Sequence, residues 1–103
     1  MVVVYPCNQF GAQESGSNAA IKAFTERRGF DGIVMSKTKV NGSGASPVFD
    51  FLKVRSKSGG IMWNFYKYVV SPDGEHVRCF PTNKTPAQLV PTIEKFLAGD
   101  CGK

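Results

Sequence analysis

The 103 residues include one histidine, one tryptophan and three cysteines, with no Cys-x-x-Cys pair. An odd number of cysteines (Cys7, Cys79 and Cys101) does not make a complete disulfide framework. A zinc site would have to gather His76 and cysteines that lie far apart in the chain, so metal binding is set aside. No apolar run approaches the length of a membrane span, and no signal-peptide pattern opens the chain. There is no internal repeat. Acidic residues are in the minority, eight against thirteen Lys and Arg, for a net charge of +5. The densest basic cluster is Lys53, Arg55 and Lys57, separated by Val54 and Ser56. Its plain reading is a solvated basic face. It could also attract an anionic surface, but no nucleic-acid motif accompanies it.

What is present is an ordinary globular composition, 42% hydrophobic and 20% charged, with length for one domain and one modest core. Met1 runs directly into Val2-Val3-Val4 without a polar leader. Residues 2–5 form a β-branched and aromatic run that predicts a buried strand. The loop after it, Tyr5-Pro6-Cys7-Asn8-Gln9-Phe10-Gly11-Ala12-Gln13-Glu14, is rich in amides. Open α/β sheets place ligands at such strand ends. Amides cannot act as acids or bases, but they can steady a charged atom supplied by another group.

Ser17 caps a helix expected over residues 18–28, with Ala20, Ile21 and Phe24 as its apolar face and Gly29 at its end. Ile33-Val34-Met35 is a short apolar patch, and residues 41–44 form a turn. Ser46-Pro47 opens a short helix with Val48, Phe51 and Leu52 on its apolar face. Residues 53–60 read as a polar connector. Residues 63–70 read as a strand, Ser71-Pro72-Asp73-Gly74 as a turn, and the segment around Val77 and Cys79 as its antiparallel partner. Thr85-Pro86-Ala87-Gln88 is a capping box. Leu89, Ile93, Phe96 and Leu97 make the apolar face of the helix after it, which Gly99 ends. Pro91 conflicts with that helix, which must kink there or have its regular part begin near it. The order strand, helix, short helix, hairpin, helix is the second part of a thioredoxin-like α/β domain, which normally begins with one more strand and one more helix.

Pro6-Cys7-Asn8-Gln9-Phe10-Gly11, then Gln13-Glu14 and Gly16-Ser17-Asn18, closely resembles the glutathione peroxidase signature. Ser36-Lys37, Val40-Asn41-Gly42, Pro47 and Phe51-Leu52-Lys53 follow in the family's order. Trp63-Asn64-Phe65 is similar to its W-N-F motif, and Asp73-Gly74 to its hairpin turn. The resemblance covers residues 2–99. It implies an α/β, thioredoxin-like fold lacking its first strand and first helix, with residues 100–103 as a tail. It also implies an enzyme in which a selenocysteine or cysteine attacks the peroxide O–O bond and glutathione or thioredoxin regenerates it, with no prosthetic cofactor. The family's tetrad is that nucleophile with a Gln, a Trp and an Asn, which fall here on Gln13, Trp63 and Asn64. Each could donate a hydrogen bond to a thiolate or selenolate.

The nucleophile's place in the family lies upstream of this stretch, and Cys7 is the motif's own cysteine, not the peroxidatic one. The expectation is therefore the carboxyl-terminal portion of a longer peroxidase, inactive alone. A selenocysteine codon read as a stop, with an internal Met as start, would produce such a chain. Thr25 stands where thioredoxin-using members carry a resolving cysteine, which favours glutathione as reductant. The short connector over residues 53–62 resembles the monomeric, phospholipid-hydroperoxide type, whose basic surface reaches lipid. Here that points to an anionic membrane surface met by Lys53, Arg55 and Lys57. Gly32-Ile33 replaces the usual aromatic-Pro pair. Cytoplasmic placement is favoured, with the compartment left open. The residues taken without the family suggest other readings. Trp63 would be a core aromatic and Cys7 a small buried hydrophobe. The chain would be a non-catalytic thioredoxin-like binding module, or a redox-responsive protein that pairs Cys7 with Cys79.

Overall fold

The computed structural model describes residues 2–12 and 14–100. They form two compact units, Met1–Ser46 and Pro47–Lys103. In the first, strand β1 (Val3–Val4) leads through the amide loop to helix α1 (Asn18–Arg27) and strand β2 (Ile33–Val34). β1 and β2 pair in parallel, Val3 with Ile33 and Val4 with Val34. The pairing follows from a crossover helix long enough to return the chain beside its first strand. Beyond the strands the same alignment continues, with the Thr38 amide donating to the Pro6 carbonyl at 2.9 Å. Gly32 is required for the approach. A Cβ there would lie 2.5 Å from the Val2 carbonyl oxygen and 2.4 Å from the Phe30 ring. No larger residue could stand before Ile33 without moving one of them.

Three expectations change in this unit. The strand over residues 2–5 is shorter and is not buried: Val2 and Val3 are exposed. β1 has a single strand neighbour among the described residues, so its faces are not enclosed as in a wide parallel sheet. The patch at Ile33 and Val34 is a strand. Helix α1 begins as expected, with the Ser17 hydroxyl accepting from the Ala20 amide at 3.1 Å, and Gly29 follows it with φ 82°. Of its apolar face, however, only Ile21 is buried. Phe24 stays at the surface, with the Arg28 guanidinium 4.9 Å from its ring centre, a cation–π contact.

The second unit opens with helix α2 (Pro47–Ser56), then the hairpin of β3 (Lys67–Val70) and β4 (Val77–Phe80), then helix α3 (Pro86–Leu97). The hairpin is antiparallel, from Lys67 opposite Phe80 to Val70 opposite Val77. Its turn is tied by Asp73, whose carboxylate accepts from the Ser71 hydroxyl at 2.6 Å and the Glu75 amide at 2.9 Å. Leu52, Ile61, Val77, Phe80, Leu89 and Phe96 are this unit's buried apolar residues.

The basic connector expected over residues 53–60 begins as helix. α2 runs to Ser56, so Lys53 and Arg55 occupy its last turns, where cations favour the helix dipole. The helix stops when Lys57 turns left-handed at φ 56°, a position more often held by Gly. On its apolar face only Leu52 is buried. The strand expected from Trp63 begins four residues later, at Lys67. Phe65 takes φ 64°, which no extended strand accommodates. Helix α3 is continuous from Pro86, so its regular part does not wait for Pro91. Its buried face is Leu89, Thr92 and Phe96, whereas Ile93 and Leu97 are exposed. Thr92 tolerates burial because its hydroxyl meets the Arg78 guanidinium at 3.3 Å. No helix among the described residues is long and apolar enough to cross a membrane.

Candidate functional site

The amide loop is held by its own side chains. The Gln9 side-chain oxygen accepts from the amides of Val40 at 2.7 Å and Asn41 at 3.2 Å, and its nitrogen donates to the Asn41 carbonyl at 3.0 Å. One side chain thus acts as a short length of strand. The Cys7 thiol, buried, points its hydrogen at the same Gln9 oxygen, 3.5 Å away. Asn8 closes the loop on itself by accepting from the Glu14 amide at 2.8 Å. Gly11 and Ala12 are both left-handed, at φ 68° and 51°, which turns the chain between Asn8 and Glu14. Two of the three loop amides are therefore committed to architecture. Gln13, the third, lies outside the described residues.

Trp63 and Asn64 are neighbours in a turn over residues 63–66, just beyond the last pair of the hairpin. Trp63 is 46% exposed and Phe65 76%. An aromatic residue in the left-handed region carries about 1–3 kcal/mol of strain, and such strain collects at sites that need a particular geometry. The chain after β4 reaches back to this turn. The Thr82 hydroxyl donates to the Asn64 carbonyl, and the Lys67 ammonium donates to the Thr82 carbonyl at 3.4 Å.

On β3, Tyr68 sits opposite Cys79 and against the Phe49 ring, with its hydroxyl 3.1 Å from that of Ser58. Burial pushes its phenol up to about 12, although the Ser58 hydrogen bond opposes the shift. Cys79 is half-buried and, like Cys7, a free thiol. It borders a cleft of about 340 Å³ lined by Ser56, Ser58, Tyr66, Val77, Arg78 and Pro81. Trp63 and Asn64 do not line it. Among the described residues no cluster of His, Cys, Asp and Glu could hold a metal ion. Cys101 lies outside the described residues.

The family model described as glutathione peroxidase matches residues 1–53, half of the chain. The chain belongs to the glutathione peroxidase family.

A mitochondrial glutathione peroxidase 1 of Chlamydomonas reinhardtii is 54% identical over 77 residues, covering 71% of this chain and 38% of the relative. A glutathione peroxidase-like peroxiredoxin of the same alga is 44% identical over 101 residues, covering 94% of this chain and 62% of the relative. A chloroplastic phospholipid hydroperoxide glutathione peroxidase 1 of Arabidopsis thaliana is 39% identical over 103 residues, covering 94% of this chain and 43% of the relative. The chain thus spans between 38% and 62% of the length of these curated relatives. Among solved structures, a crystal structure of Trgpx in its apo form superposes with a TM-score of 0.72 at 25% identity, over 95% of this chain and 57% of that one. The fold is α/β and thioredoxin-like.

Within this glutathione peroxidase framework, Thr25 is half-buried on α1 and its hydroxyl donates to the Lys22 carbonyl at 2.8 Å, so the position is an ordinary helical one. The basic cluster is partly paired: Lys53, its side chain only 16% exposed, lies 3.7 Å from Asp50, and Arg55 lies 3.5 Å from Glu75 in a surface pair of small worth. Sequence reasoning missed the parts played by Gln9 and Thr82. Gln9 stood inside the quoted signature, yet its partners are about thirty residues away in sequence. Nothing in the local pattern around Thr82 ties it to Asn64.

Proposed function

We propose that residues 1–99 are the carboxyl-terminal portion of a peroxidase domain that reduces hydrogen peroxide or organic and lipid hydroperoxides at the expense of a thiol. The exposure of Trp63 carries the reading. At 46% exposed and outside the hairpin ladder, it does not fill a core. In this proposal Gln13, Trp63 and Asn64 donate to a sulfur or selenium atom brought by a preceding segment. That atom, as its anion, takes the terminal oxygen of the peroxide. The O–O bond breaks, an alcohol or water leaves after protonation, and the nucleophile becomes a sulfenic or selenenic acid. One reducing thiol then displaces water to form a mixed disulfide or selenenyl sulfide with it, and a second attacks the reductant's sulfur, releasing the disulfide and restoring the nucleophile.

The donors act by favouring the charged form of the nucleophile, which raises the fraction ready to react. Cys7 does not take that part, being buried with its hydrogen on Gln9. Glutathione is the proposed reductant, because Thr25 leaves α1 without a resolving thiol. The protein acts as a monomer with no prosthetic group. Its lipid substrates are approached through an anionic membrane surface met by the helix end carrying Lys53 and Arg55, with Lys57 just beyond.

Peroxide consumption with glutathione tests the reading. The chain alone is expected to be inactive, and the chain preceded by the segment that its transcript encodes upstream is expected to turn over. Absence of turnover from the longer protein with either glutathione or thioredoxin would refute it. Sequencing that transcript is expected to find a selenocysteine or cysteine codon upstream of the Met1 codon. An in-frame stop with neither codon between would sink the reading of the chain as a portion of a longer enzyme.

A further inference from the structure

Trp63 and Asn64 are presented by a turn outside the hairpin ladder. The hairpin ladder ends at Lys67 opposite Phe80, so residues 63–66 lie beyond its last rung. Pro81 follows Phe80 and has no N–H with which to extend the ladder. Phe65 is left-handed at φ 64° with its ring 76% exposed, so burial of the ring does not explain that backbone. A segment from the other strand is in place instead. The Lys84 amide donates to the Pro81 carbonyl at 3.0 Å, closing a turn that aims Thr82 back at residues 63–66. The Thr82 hydroxyl donates to the Asn64 carbonyl, and the Lys67 side chain holds the Thr82 carbonyl at 3.4 Å.

We propose that Thr82 is a positioning residue: its hydroxyl, by holding the Asn64 carbonyl, fixes the turn that aims the Trp63 indole and the Asn64 amide. The role in turnover rests on the reading of Trp63 and Asn64 as donors to the nucleophile, whereas the role in fixing the turn does not. Thr82 is itself exposed and touches no reacting atom in this scheme. Its peptide carbonyl, held by Lys67, sets the direction from which the hydroxyl reaches Asn64. Thr82→Val keeps the shape and loses the donor, and Thr82→Ser keeps the donor, so the pair separates the hydrogen bond from packing.

The test uses the full-length protein labelled with fluorotryptophan, the Trp63 resonance being identified by its loss in Trp63→Phe. Thr82→Val is expected to shift or broaden that resonance and to lower kcat by about 2- to 10-fold, the loss of one hydrogen bond of ordinary net strength, with KM for the peroxide unchanged. Thr82→Ser is expected to restore both the resonance and kcat. An unchanged Trp63 resonance and unchanged kcat in Thr82→Val, with turnover still lost in Trp63→Phe, would overturn the positioning role alone. Unchanged turnover in Trp63→Phe would overturn the donor reading and, with it, any effect of Thr82 on kcat. Equal losses in Thr82→Val and Thr82→Ser would show a packing role and also overturn the proposal.

Discussion

The two units hold their candidate site residues by different means. In the first, polar side chains do the fastening: Gln9 grips Val40 and Asn41, Asn8 closes the loop, and Asn18 accepts from the Lys37 amide at 2.8 Å. Its paired strands are two residues each, too short for a ladder to stand alone. In the second, two helices and a hairpin of two four-residue strands bury apolar side chains, and polar side chains tie both ends of the hairpin. A loop secured by a few directional bonds should fail locally when one is lost. A unit secured by burial should fail as a whole.

The largest effect should come from the second unit. Phe96→Ala, at a position 5% exposed, is expected to cost about 3–5 kcal/mol in urea unfolding of the full-length protein. Hydrogen exchange should quicken across residues 67–80, because burial there is shared. Gln9→Ala removes the hydrogen bonds to Val40 and Asn41 and is expected to cost about 1–3 kcal/mol. Its faster exchange should be confined to residues 38–41. Exchange that spreads evenly through both units in either variant would erase the distinction drawn between them.

That distinction also explains what could be read from the sequence. Helix starts at Ser17 and Thr85 and the turn at Asp73-Gly74 were legible, because cap and turn chemistry acts within a few residues. The end of α2 was not, because the helix runs on through Lys53 and Arg55 to Ser56 and Lys57, rather than a glycine, takes the left-handed position after it. The stretch over residues 63–66 alternates like a strand, yet Phe65 leaves strand geometry and Thr82 receives the turn, a contact eighteen residues away. Val2 and Val3 have strand composition, but their exposure depends on which neighbours pair with β1. The thioredoxin-like class was legible from element order and from motifs, since both survive these local departures. Of the candidate site, Trp63 and Asn64 could be named from their motif, but their exposure and the bond to Thr82 required coordinates.

Two smaller effects sharpen the comparison within the hairpin. Tyr68 holds its proton more tightly in the folded protein, up to about 12 against an ordinary 10.0, chiefly through burial. The folded state then binds more protons than the unfolded one between those values, so stability falls as pH rises from 10 toward 12. Tyr68→Phe should flatten that alkaline slope, and an unchanged slope would show that Tyr68 does not cause it. The Asp73 carboxyl lies below its ordinary 3.8, first because the Ser71 hydroxyl donates to it and then because the Glu75 amide does. Its contribution is present above 3.8 and is lost as pH falls through the lowered value. Asp73→Asn should make acid unfolding less steep. It is the smallest of these effects because the group is exposed.

Glutathione-dependent peroxide consumption by the full-length protein and its Trp63→Phe variant, measured side by side, bears most directly on the reading of this chain as a peroxidase. Loss of one aimed donor to a developing or standing anion typically costs about 100-fold or more in rate, and a loss of that order is expected with unfolding by urea little changed. Turnover in Trp63→Phe equal to that of the unaltered protein would contradict the account.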